Sequence, residues 1–470
     1  MHRCLAVLLL LVGCPAGPAD DDPVVTADDD AGDDDDATLD PRPNILLVIA
    51  DDFGIDAASF DAADPCYQPG TSSDDAPMPR LGALCRESLR FRAAWAMPVC
   101  SPTRATILTG TGPWQHGVGA ALSGANALSL DAWTLPQALD AWAPGYQHAN
   151  VGKWHLSPGN DDPNTMGWQH YAGLVRGTTQ SYFTWPRVVD GLESISNDYT
   201  TTAFVDDAVS FIEGTGEAPW FVWLAFNAPH TPFHVPPADL HTQDLVPYDD
   251  QVHDDARPWF RAMAQAMDTE IGRLFDAVQA RGEWDDTWVI FIGDNGTARS
   301  VNGAPFGPQA AKGSLREGGI TVPMLVKGPG VEGDRASGAL TSVADFFPTI
   351  LELAGADPVA AAAAQGVELD GVSLLPVLRG EADSVQSEVF AQVFGGTTAP
   401  DVAGSAIRND LAKLICHEDG SIQLYDLQTD RWESDDLYVD GVGPEAGWEP
   451  TYQALRDALR VRVGQPSLCD

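Results

Sequence analysis

The sequence predicts an α/β protein with a doubly wound, mixed but mostly parallel sheet, helices on both faces, and a smaller antiparallel sheet at the C-terminal end. Unbroken apolar runs are typical of parallel strands that are covered on both faces. Three of them stand out: residues 44–50, 220–226 and 287–292. Stretches with apolar residues at helical spacing alternate with these runs, most clearly residues 198–214 and 258–282.

The remaining segments are assigned by the same signals. Further helices are expected near residues 78–89 and 133–142, and a further strand at 146–151. After about residue 380 the pattern changes to short strand-like stretches and a last helix, at residues 388–394, 406–417, 422–427 and 451–463. We therefore expect a main domain at 43–380 and a C-terminal subdomain at 381–470.

The N-terminal segment is expected to direct export. Residues 1–14, MHRCLAVLLLLVGC, combine a basic start with an apolar run that is too short to span a bilayer. The run ends in Leu11-Val12-Gly13-Cys14, which resembles a bacterial lipobox, so we expect an exported lipoprotein anchored at Cys14 in the periplasm or at the cell surface. Ordinary signal cleavage nearby is the alternative. Residues 15–42 have almost no large apolar residue and should form a disordered acidic tether.

The overall charge limits the partners of this protein. The 470-residue chain has a formal net charge of -42, of which about a quarter comes from eleven Asp residues between positions 20 and 40. Nucleic-acid binding needs Lys and Arg to replace counterions, so nucleic acid is excluded as a partner.

Seven cysteines occur in the chain, and three of them have their own contexts. Cys4 and Cys14 lie in the export segment, and Cys100 lies in the stretch described next. The other four can pair in three ways, and proximity in sequence favours Cys66–Cys85 and Cys416–Cys469.

Residues 99–110, VCSPTRATILTG, indicate a tight turn that leads into a helix. Ser101 can cap this helix, Pro102 suits its first position, and Gly110 can end it. Cys100 then lies at the positive end of the helix dipole with Arg104 one turn further in, which suits a nucleophile that meets an anion. For a cysteine alone, a buried structural role is the better interpretation.

Polar side chains follow four strand-like runs, and their residue types are those of a metal and anion site. Asp51 and Asp52 follow the first run, and Asp294 and Asn295 follow another; carboxylate and amide oxygens are ligands for hard divalent cations. Lys153 and His155 follow a third run and should share one face of an extended chain, while His230 follows the fourth. Because strand ends of a parallel sheet meet at one edge, these side chains should converge there, close to Cys100.

Five sequence motifs in order resemble the signatures of the type I, formylglycine-dependent sulfatase family, in the alkaline phosphatase superfamily. They are C-S-P-T-R at 100–104, G-K-W-H-L at 152–156, N-A-P-H-T-P at 227–232, G-D-N-G at 293–296 and K-x4-E-G-G from Lys312. The resemblance covers residues 43–430. The commoner family form has Ser or Ala where this chain has Thr103, which is a minor departure.

The resemblance implies a metal site and a modified residue. Asp51, Asp52, Asp294 and Asn295 would hold one divalent cation together with residue 100, and all-oxygen ligation favours Ca²⁺, with Mg²⁺ second. A formylglycine-generating enzyme would oxidise Cys100 to formylglycine (3-oxoalanine), whose hydrate is the family's nucleophile.

The resemblance also implies a role for each remaining residue. Arg104 would stabilise the nucleophile, and Lys153 and Lys312 would neutralise the sulfate oxygens. His230 would protonate the leaving oxygen, assisted by Lys312. His155 would then remove a proton from the second hydrate hydroxyl, which expels sulfate and restores the aldehyde.

The leading hypothesis is therefore an exported sulfatase that acts on small sulfated substrates, either aryl or sugar sulfates. Two alternatives stay open: a phosphonate monoester or phosphodiester hydrolase that uses the same site, and a non-catalytic binding lipoprotein. Specificity is expected from loops at residues 55–75, 157–197 and 297–310 and from the C-terminal subdomain. Trp114, Trp168, Tyr182 and Trp185 are candidates for stacking on a ring, although core packing is at least as good an explanation.

Overall fold

The computed structural model describes residues 42–57, 77–123, 126–395 and 403–469. The export segment, Cys14, almost all of the tether and Cys66 lie outside the described residues, so the expectations for them stay predictions. Among the described residues, the model contains no helix with the length and apolar character needed to cross a membrane.

Strands and helices alternate through most of the described chain. The strands are β1 (Asn44–Ala50), β2 (Leu89–Trp95), β3 (Gln147–Lys153), β4 (His170–Leu174), β5 (Trp185–Val189), β6 (Leu192–Ser196), β7 (Trp220–Ala225), β8 (Thr287–Gly293), β9 (Met324–Lys327), β10 (Arg335–Ser342), β11 (Val389–Val393), β12 (Gly404–Arg408), β13 (Ala412–His417), β14 (Ile422–Asp426), β15 (Tyr438–Val439) and β16 (Gly443–Pro444). The helices are α1 (Pro79–Glu87), α2 (Cys100–Thr109), α3 (Pro113–His116), α4 (Leu135–Trp142), α5 (Asp162–Thr165), α6 (Thr200–Gly214), α7 (Arg257–Ala280), α8 (Glu317–Ile320), α9 (Phe346–Leu353), α10 (Pro358–Gln365), α11 (Leu375–Leu378) and α12 (Glu449–Val463).

The main sheet has the order β10-β2-β9-β8-β1-β7-β3-β4-β5-β6 among the described strands. Strands β8, β1, β7, β3 and β4 are parallel neighbours, whereas β9 and β5 run antiparallel to theirs. This arrangement confirms the predicted mixed, mostly parallel sheet. The three apolar runs form its central strands, β1, β7 and β8.

Alternate residues of β1 face two different cores, one on each side of the sheet. Ile45, Leu47 and Ile49 pack with apolar residues of α2, α4 and α9. Leu46 and Val48 pack on the other side with those of α1, α6 and α7. Helices on both faces therefore explain why β1 is buried along its whole length and apolar after Asn44.

Strand register places the polar strand ends together. Ala50 of β1 pairs with Gly293 of β8, and the Asp294 amide donates to the Ala50 carbonyl oxygen at 2.9 Å. On the other side, the Asp51 amide donates to the Ala228 carbonyl oxygen, just beyond β7, at 3.1 Å. The carboxyl ends of these three strands thus meet at one edge, as expected for a wound sheet.

The C-terminal sheet is antiparallel, with the order β11-β12-β13-β14. The single strand expected at 406–417 is wrong: the chain turns at Asn409, whose side-chain oxygen accepts the amides of Leu411 and Ala412, and forms two paired strands. One face of this sheet joins the main core and the other packs against α12. The boundary at residue 380 stays a prediction.

A disulfide between Cys416 and Cys469 fastens the end of the chain to β13, with a Cα–Cα distance of 5.4 Å. This confirms the second predicted pair. Cys85 is also disulfide-bonded, but its predicted partner Cys66 lies outside the described residues.

Candidate active site

Three buried or partly buried cations pair with three aspartates at the carboxyl edge of the sheet. The Lys153 ammonium lies 2.5 Å from Asp51 Oδ2, and both side chains are fully buried. Arg104 donates to Asp294 Oδ2 through Nη2 at 2.8 Å and through Nε at 3.2 Å. The Lys312 ammonium contacts Asp52 Oδ1. The structure therefore brings together side chains from five separate parts of the sequence.

Cys100 begins helix α2 and is buried. Its Sγ lies 3.2 Å from Nδ1 of His155. Burial raises the pKa of the Cys100 thiol, although Lys153 and Lys312 oppose this effect. The unmodified thiol is therefore kept in its neutral form and is a poor nucleophile.

The predicted capping role of Ser101 is wrong, because Val99 is the N-cap residue and Pro102 is the third residue of the helix. The Ser101 hydroxyl instead donates to the carbonyl oxygen of His155 at 2.8 Å and accepts the amide of Leu122 at 2.9 Å. It thereby ties α2 to the segment that carries His155. Gly110 ends the helix in a left-handed conformation (φ 69°), as expected.

Thr103, where the chain departs from the commoner family form, has a structural function. Its hydroxyl donates to the carbonyl oxygen of Asp294 at 2.6 Å and accepts the amide of Met97 at 3.0 Å. The additional methyl group of Thr fits in a fully buried position. The departure therefore leaves the geometry around Cys100 and Asp294 intact.

The extended conformation expected for Lys153 to His155 is wrong. Lys153 is the last residue of β3, and His155 has a φ of 59°, in the left-handed region. Both side chains nevertheless lie in the pocket, since Lys153 contacts Asp51 and His155 contacts Cys100. Burial and the neighbouring Lys153 hold the pKa of His155 well below its usual value, so this imidazole is neutral and can accept a proton.

His230 also lies close to the aspartates, with Nε2 at 3.7 Å from Asp52 Oδ2. Two buried residues, Tyr182 and Asn227, hold this segment in roles that the sequence analysis did not predict. The Tyr182 hydroxyl lies 2.6 Å from the His230 carbonyl oxygen and 2.7 Å from that of Asn227. The Asn227 side chain donates to the Gly177 carbonyl oxygen at 3.0 Å. The N-A-P-H-T-P motif already contained Asn227, whereas the sequence analysis named Tyr182 only as a candidate for ring stacking and not for this contact.

The donor set fits a hard divalent cation. Burial raises the pKa of Asp51, but Lys153 and other nearby cations outweigh burial and keep the pKa well below its usual value. Burial and the nearby Asp51 raise the pKa of Asp294 to about 6. Two buried oxygens, Asp51 Oδ1 and Asn295 Oδ1, have no hydrogen-bond partner within the described residues.

Potential ligand atoms form two overlapping sets, and the atoms of each set lie within 4.8 Å of one another. They are Asp51, Asp52 and His230, and Asp51, Cys100 and Asp294. Buried polar atoms are normally satisfied. Unpartnered oxygens among clustered carboxylates are therefore what a cation site requires before it is filled.

The aromatic side chains proposed for ring stacking are mostly core residues. Trp168, Tyr182 and Trp185 are almost fully buried. Trp114 packs edge-to-face with Phe390, on the outer side of the C-terminal sheet. None of these four presents an open ring face to the pocket.

Comparisons with known proteins match this chain to sulfatases. The family model described as Sulfatase matches residues 43–356. Arylsulfatase A of Homo sapiens is 27% identical over 479 residues, which covers 90% of this chain and 88% of that protein. N-acetylglucosamine-6-sulfatase of Homo sapiens is 25% identical over 402 residues, covering 75% of this chain and 68% of that protein.

A solved structure has the same fold. The crystal structure of Ps i-CgsB in complex with k-i-k-neocarrahexaose matches with a TM-score of 0.70 and 25% identity, over 91% of this chain and 94% of that one. The chain therefore belongs to the sulfatase family, and it is a sulfuric ester hydrolase.

Proposed function

We propose that this protein hydrolyses sulfate esters with a formylglycine made from Cys100 and one divalent cation, Ca²⁺ by preference. The observation that carries this proposal is the position of Cys100. Its sulfur lies 3.2 Å from the neutral His155 and forms a ligand-sized cluster with Asp51 and Asp294. Such an arrangement suits a group that must touch both a base and a cation.

Asp51, Asp52, Asp294 and Asn295 would hold the cation, with residue 100 as a further ligand. When present, the cation polarises a sulfate oxygen and lowers the pKa of the hydroxyl group that the formylglycine supplies. Lys153 and Lys312 already lie at this cluster and would bind the equatorial sulfate oxygens. Arg104, fixed between Asp294 and the Lys153 carbonyl oxygen at 3.0 Å, keeps the strand ends in register.

The two histidines would move protons on opposite sides of the sulfate. His155 is neutral and faces residue 100, so it would accept the proton whose removal releases sulfate. His230 lies beside Asp52, but burial outweighs the charge of Asp52 and lowers the pKa of the imidazole below its usual value. It would donate its Nε2 proton to the oxygen of the departing alcohol, assisted by Lys312.

Sulfated sugars and aryl sulfates are the proposed substrates. One relative is named for N-acetylglucosamine 6-sulfate, and one solved neighbour binds a neocarrahexaose. Both names favour a carbohydrate as the alcohol half of the ester.

The Cys100→Ala variant tests the mechanism. We expect this variant to lose hydrolysis of 4-nitrophenyl sulfate by at least about 10³-fold, because the nucleophile is absent. Cys100 lies in a core helix, so an unchanged circular dichroism spectrum and urea midpoint are needed to show that the variant is folded. Mass spectrometry of the wild-type peptide across residue 100, from native host material, should detect the formylglycine.

The competing phosphoester function is tested with the same preparation. We expect turnover of 4-nitrophenyl sulfate to exceed that of bis(4-nitrophenyl) phosphate. Activity that survives Cys100→Ala, or a preference for the phosphodiester, would contradict the proposal.

A further inference from the structure

An exposed phenylalanine lies in the loop whose Tyr182 contacts the backbone of His230, at the edge of the sheet that carries the active site. Phe183 belongs to the connection that leaves the carboxyl end of β4 and enters β5. The hydroxyl of its neighbour Tyr182 contacts the carbonyl oxygens of Asn227 and His230. Phe183 is therefore one residue away from a direct contact with the backbone of the proposed acid.

Other aromatic rings support Phe183. Its ring packs against Tyr199 at a centroid distance of 5.2 Å and edge-to-face against His234 at 5.4 Å. His234 also packs against Tyr182 at 4.3 Å, and its Nε2 lies 3.1 Å from the Tyr199 hydroxyl. Because the rings beneath it are buried or half-buried and hydrogen-bonded, Phe183 rests on a rigid base.

The backbone around Phe183 is fixed as well. The Tyr182 carbonyl oxygen accepts the amide of Thr200 at 2.9 Å. The Phe183 amide donates to the Ser181 hydroxyl at 3.1 Å, and the Thr184 hydroxyl donates to the Phe183 carbonyl oxygen at 2.8 Å. Because its backbone is hydrogen-bonded and its ring packs against Tyr199 and His234, Phe183 should lose little conformational entropy when a ligand packs against it.

Phe183 is nevertheless 40% exposed. A single exposed aromatic is ordinary on a protein surface and has no meaning by itself. Its position gives it meaning, because the oxygen that His230 would protonate belongs to the leaving alcohol. The remainder of that alcohol has to extend from His230 over the neighbouring surface.

We propose that Phe183 is a specificity-determining residue that packs against the ring of the alcohol half of the substrate, whether that ring is an aryl group or the apolar face of a sugar. This inference rests on the proposed function, since it places the leaving alcohol at His230. Aromatic side chains bind both kinds of ring through their flat apolar faces. An acyclic sulfate ester offers no such face.

Binding without turnover tests this inference. Isothermal titration calorimetry in calcium-containing buffer compares Cys100→Ala with Cys100→Ala/Phe183→Ala. The probes are 4-nitrophenyl sulfate, N-acetylglucosamine 6-sulfate and methyl sulfate. We expect Phe183→Ala to raise the Kd of a ring ester about three- to tenfold, and that of methyl sulfate less than about twofold.

Trp142→Ala in the same background is the matched control. Trp142 is 37% exposed, but it lies at the end of α4 that precedes β3, at the opposite edge of the sheet. Its removal should leave all three Kd values unchanged. Phe183→Tyr should restore the binding of ring esters, because it keeps the flat face.

The outcomes separate cleanly. A loss confined to the aryl ester or to the sugar ester supports the inference and identifies the ring. Unchanged ring-ester binding overturns it, and so does an equal loss for all three probes, because that would reflect a general disturbance of the site. Since no turnover is needed, an inactive wild-type enzyme would contradict the proposed function and leave this measurement decisive.

Discussion

The orientation of the His230 ring follows from one hydrogen bond. Its Nδ1 lies 2.8 Å from the carbonyl oxygen of Thr231, which can only accept. Nδ1 therefore carries the hydrogen, and Nε2 is the atom that faces the pocket near Asp52. A ring fixed in this way can donate from Nε2 only when it is doubly protonated, as a general acid must be.

Replacement of His230 should have an effect that depends on the leaving group. We expect His230→Gln to lower kcat about 10²–10⁴-fold for N-acetylglucosamine 6-sulfate, whose alcohol needs a proton to depart. The loss for 4-nitrophenyl sulfate should be much smaller, because nitrophenolate leaves without protonation. Steady-state kinetics on the two esters measures the difference.

His170→Gln is the control for this prediction. His170 is the first residue of β4, at the opposite edge of the sheet, and is paired with Asp190 at 2.9 Å. It should change neither rate. Equal losses for both esters in His230→Gln would show that His230 positions the substrate rather than protonating the alcohol.

At the scale of elements, a buried ionic network joins the C-terminal sheet to the segment that follows Lys312. The Lys413 ammonium of β13 lies 3.0 Å from Glu317 Oε1 and 2.6 Å from Glu433 Oε1. The Glu317 amide donates to Glu433 Oε2 at 2.6 Å, and the Trp95 indole donates to Glu317 Oε1 at 3.1 Å. Glu317, the Glu of the E-G-G motif, thus connects β2 of the main sheet to β13 of the C-terminal sheet.

We expect Lys413→Met to lower the free energy of unfolding by about 3–5 kcal/mol, because it leaves two buried carboxylates without their shared cation. Urea unfolding measures the change. The control is Arg335→Met, which removes an ion pair with Glu332 whose side chains are 52% and 74% exposed. That variant should lose less than about 1 kcal/mol. Similar losses in both variants would contradict the assigned importance of the network.

The wild type and Lys413→Met should also differ in how much stability they lose at acid pH. Burial raises the pKa of Glu317, but Lys413 and Arg408 outweigh burial and lower it to about 2, from an ordinary value of 4.5. A lowered carboxyl pKa stabilises the fold above the unfolded-state value, and this stabilisation disappears as the pH falls from 4.5 towards 2. Over this range, the wild type should lose more stability than Lys413→Met.

Sequence patterns were sufficient for the central strands and insufficient for the loops. The runs at β1, β7 and β8 are recognised by their length and continuous apolar content, which local sequence alone determines. The conformations of Ser101 and His155 depend on contacts with Leu122 and Val175, which are brought near only by the fold. The pairing of Lys312 with Asp52, which are 260 residues apart, likewise had no local signal.

At the scale of the whole molecule, the charges of the active-site pocket cancel one another, although the protein is strongly acidic. The three aspartates of the site are matched by Arg104, Lys153 and Lys312, so these six groups sum to zero. The formal charge of the chain is -42. Buried charges are tolerated when each has a partner, and here each carboxylate has one.

The proposed function implies that calcium should stabilise the whole molecule, because the proposed cation site exists only in the folded chain. At about a hundredfold excess over Kd, we expect about 2.7 kcal/mol of added stability, measured as a higher unfolding temperature. The increase should disappear in Asp294→Asn. It should persist in Asp268→Asn, which removes a buried carboxylate that accepts the amides of Arg80 and Leu81 under α1. Equal calcium responses in these two variants would place the cation elsewhere.

The balance between three aspartates and three cations has a consequence for the binding of anions. Arg104, Lys153 and Lys312 already neutralise the three aspartates, so these side chains alone offer no excess positive charge to a sulfate group. The proposed cation would add two positive charges and make the sum positive, which would favour contact of Lys153 and Lys312 with an anion. We therefore expect the affinity of the site for sulfate to depend on the presence of the cation.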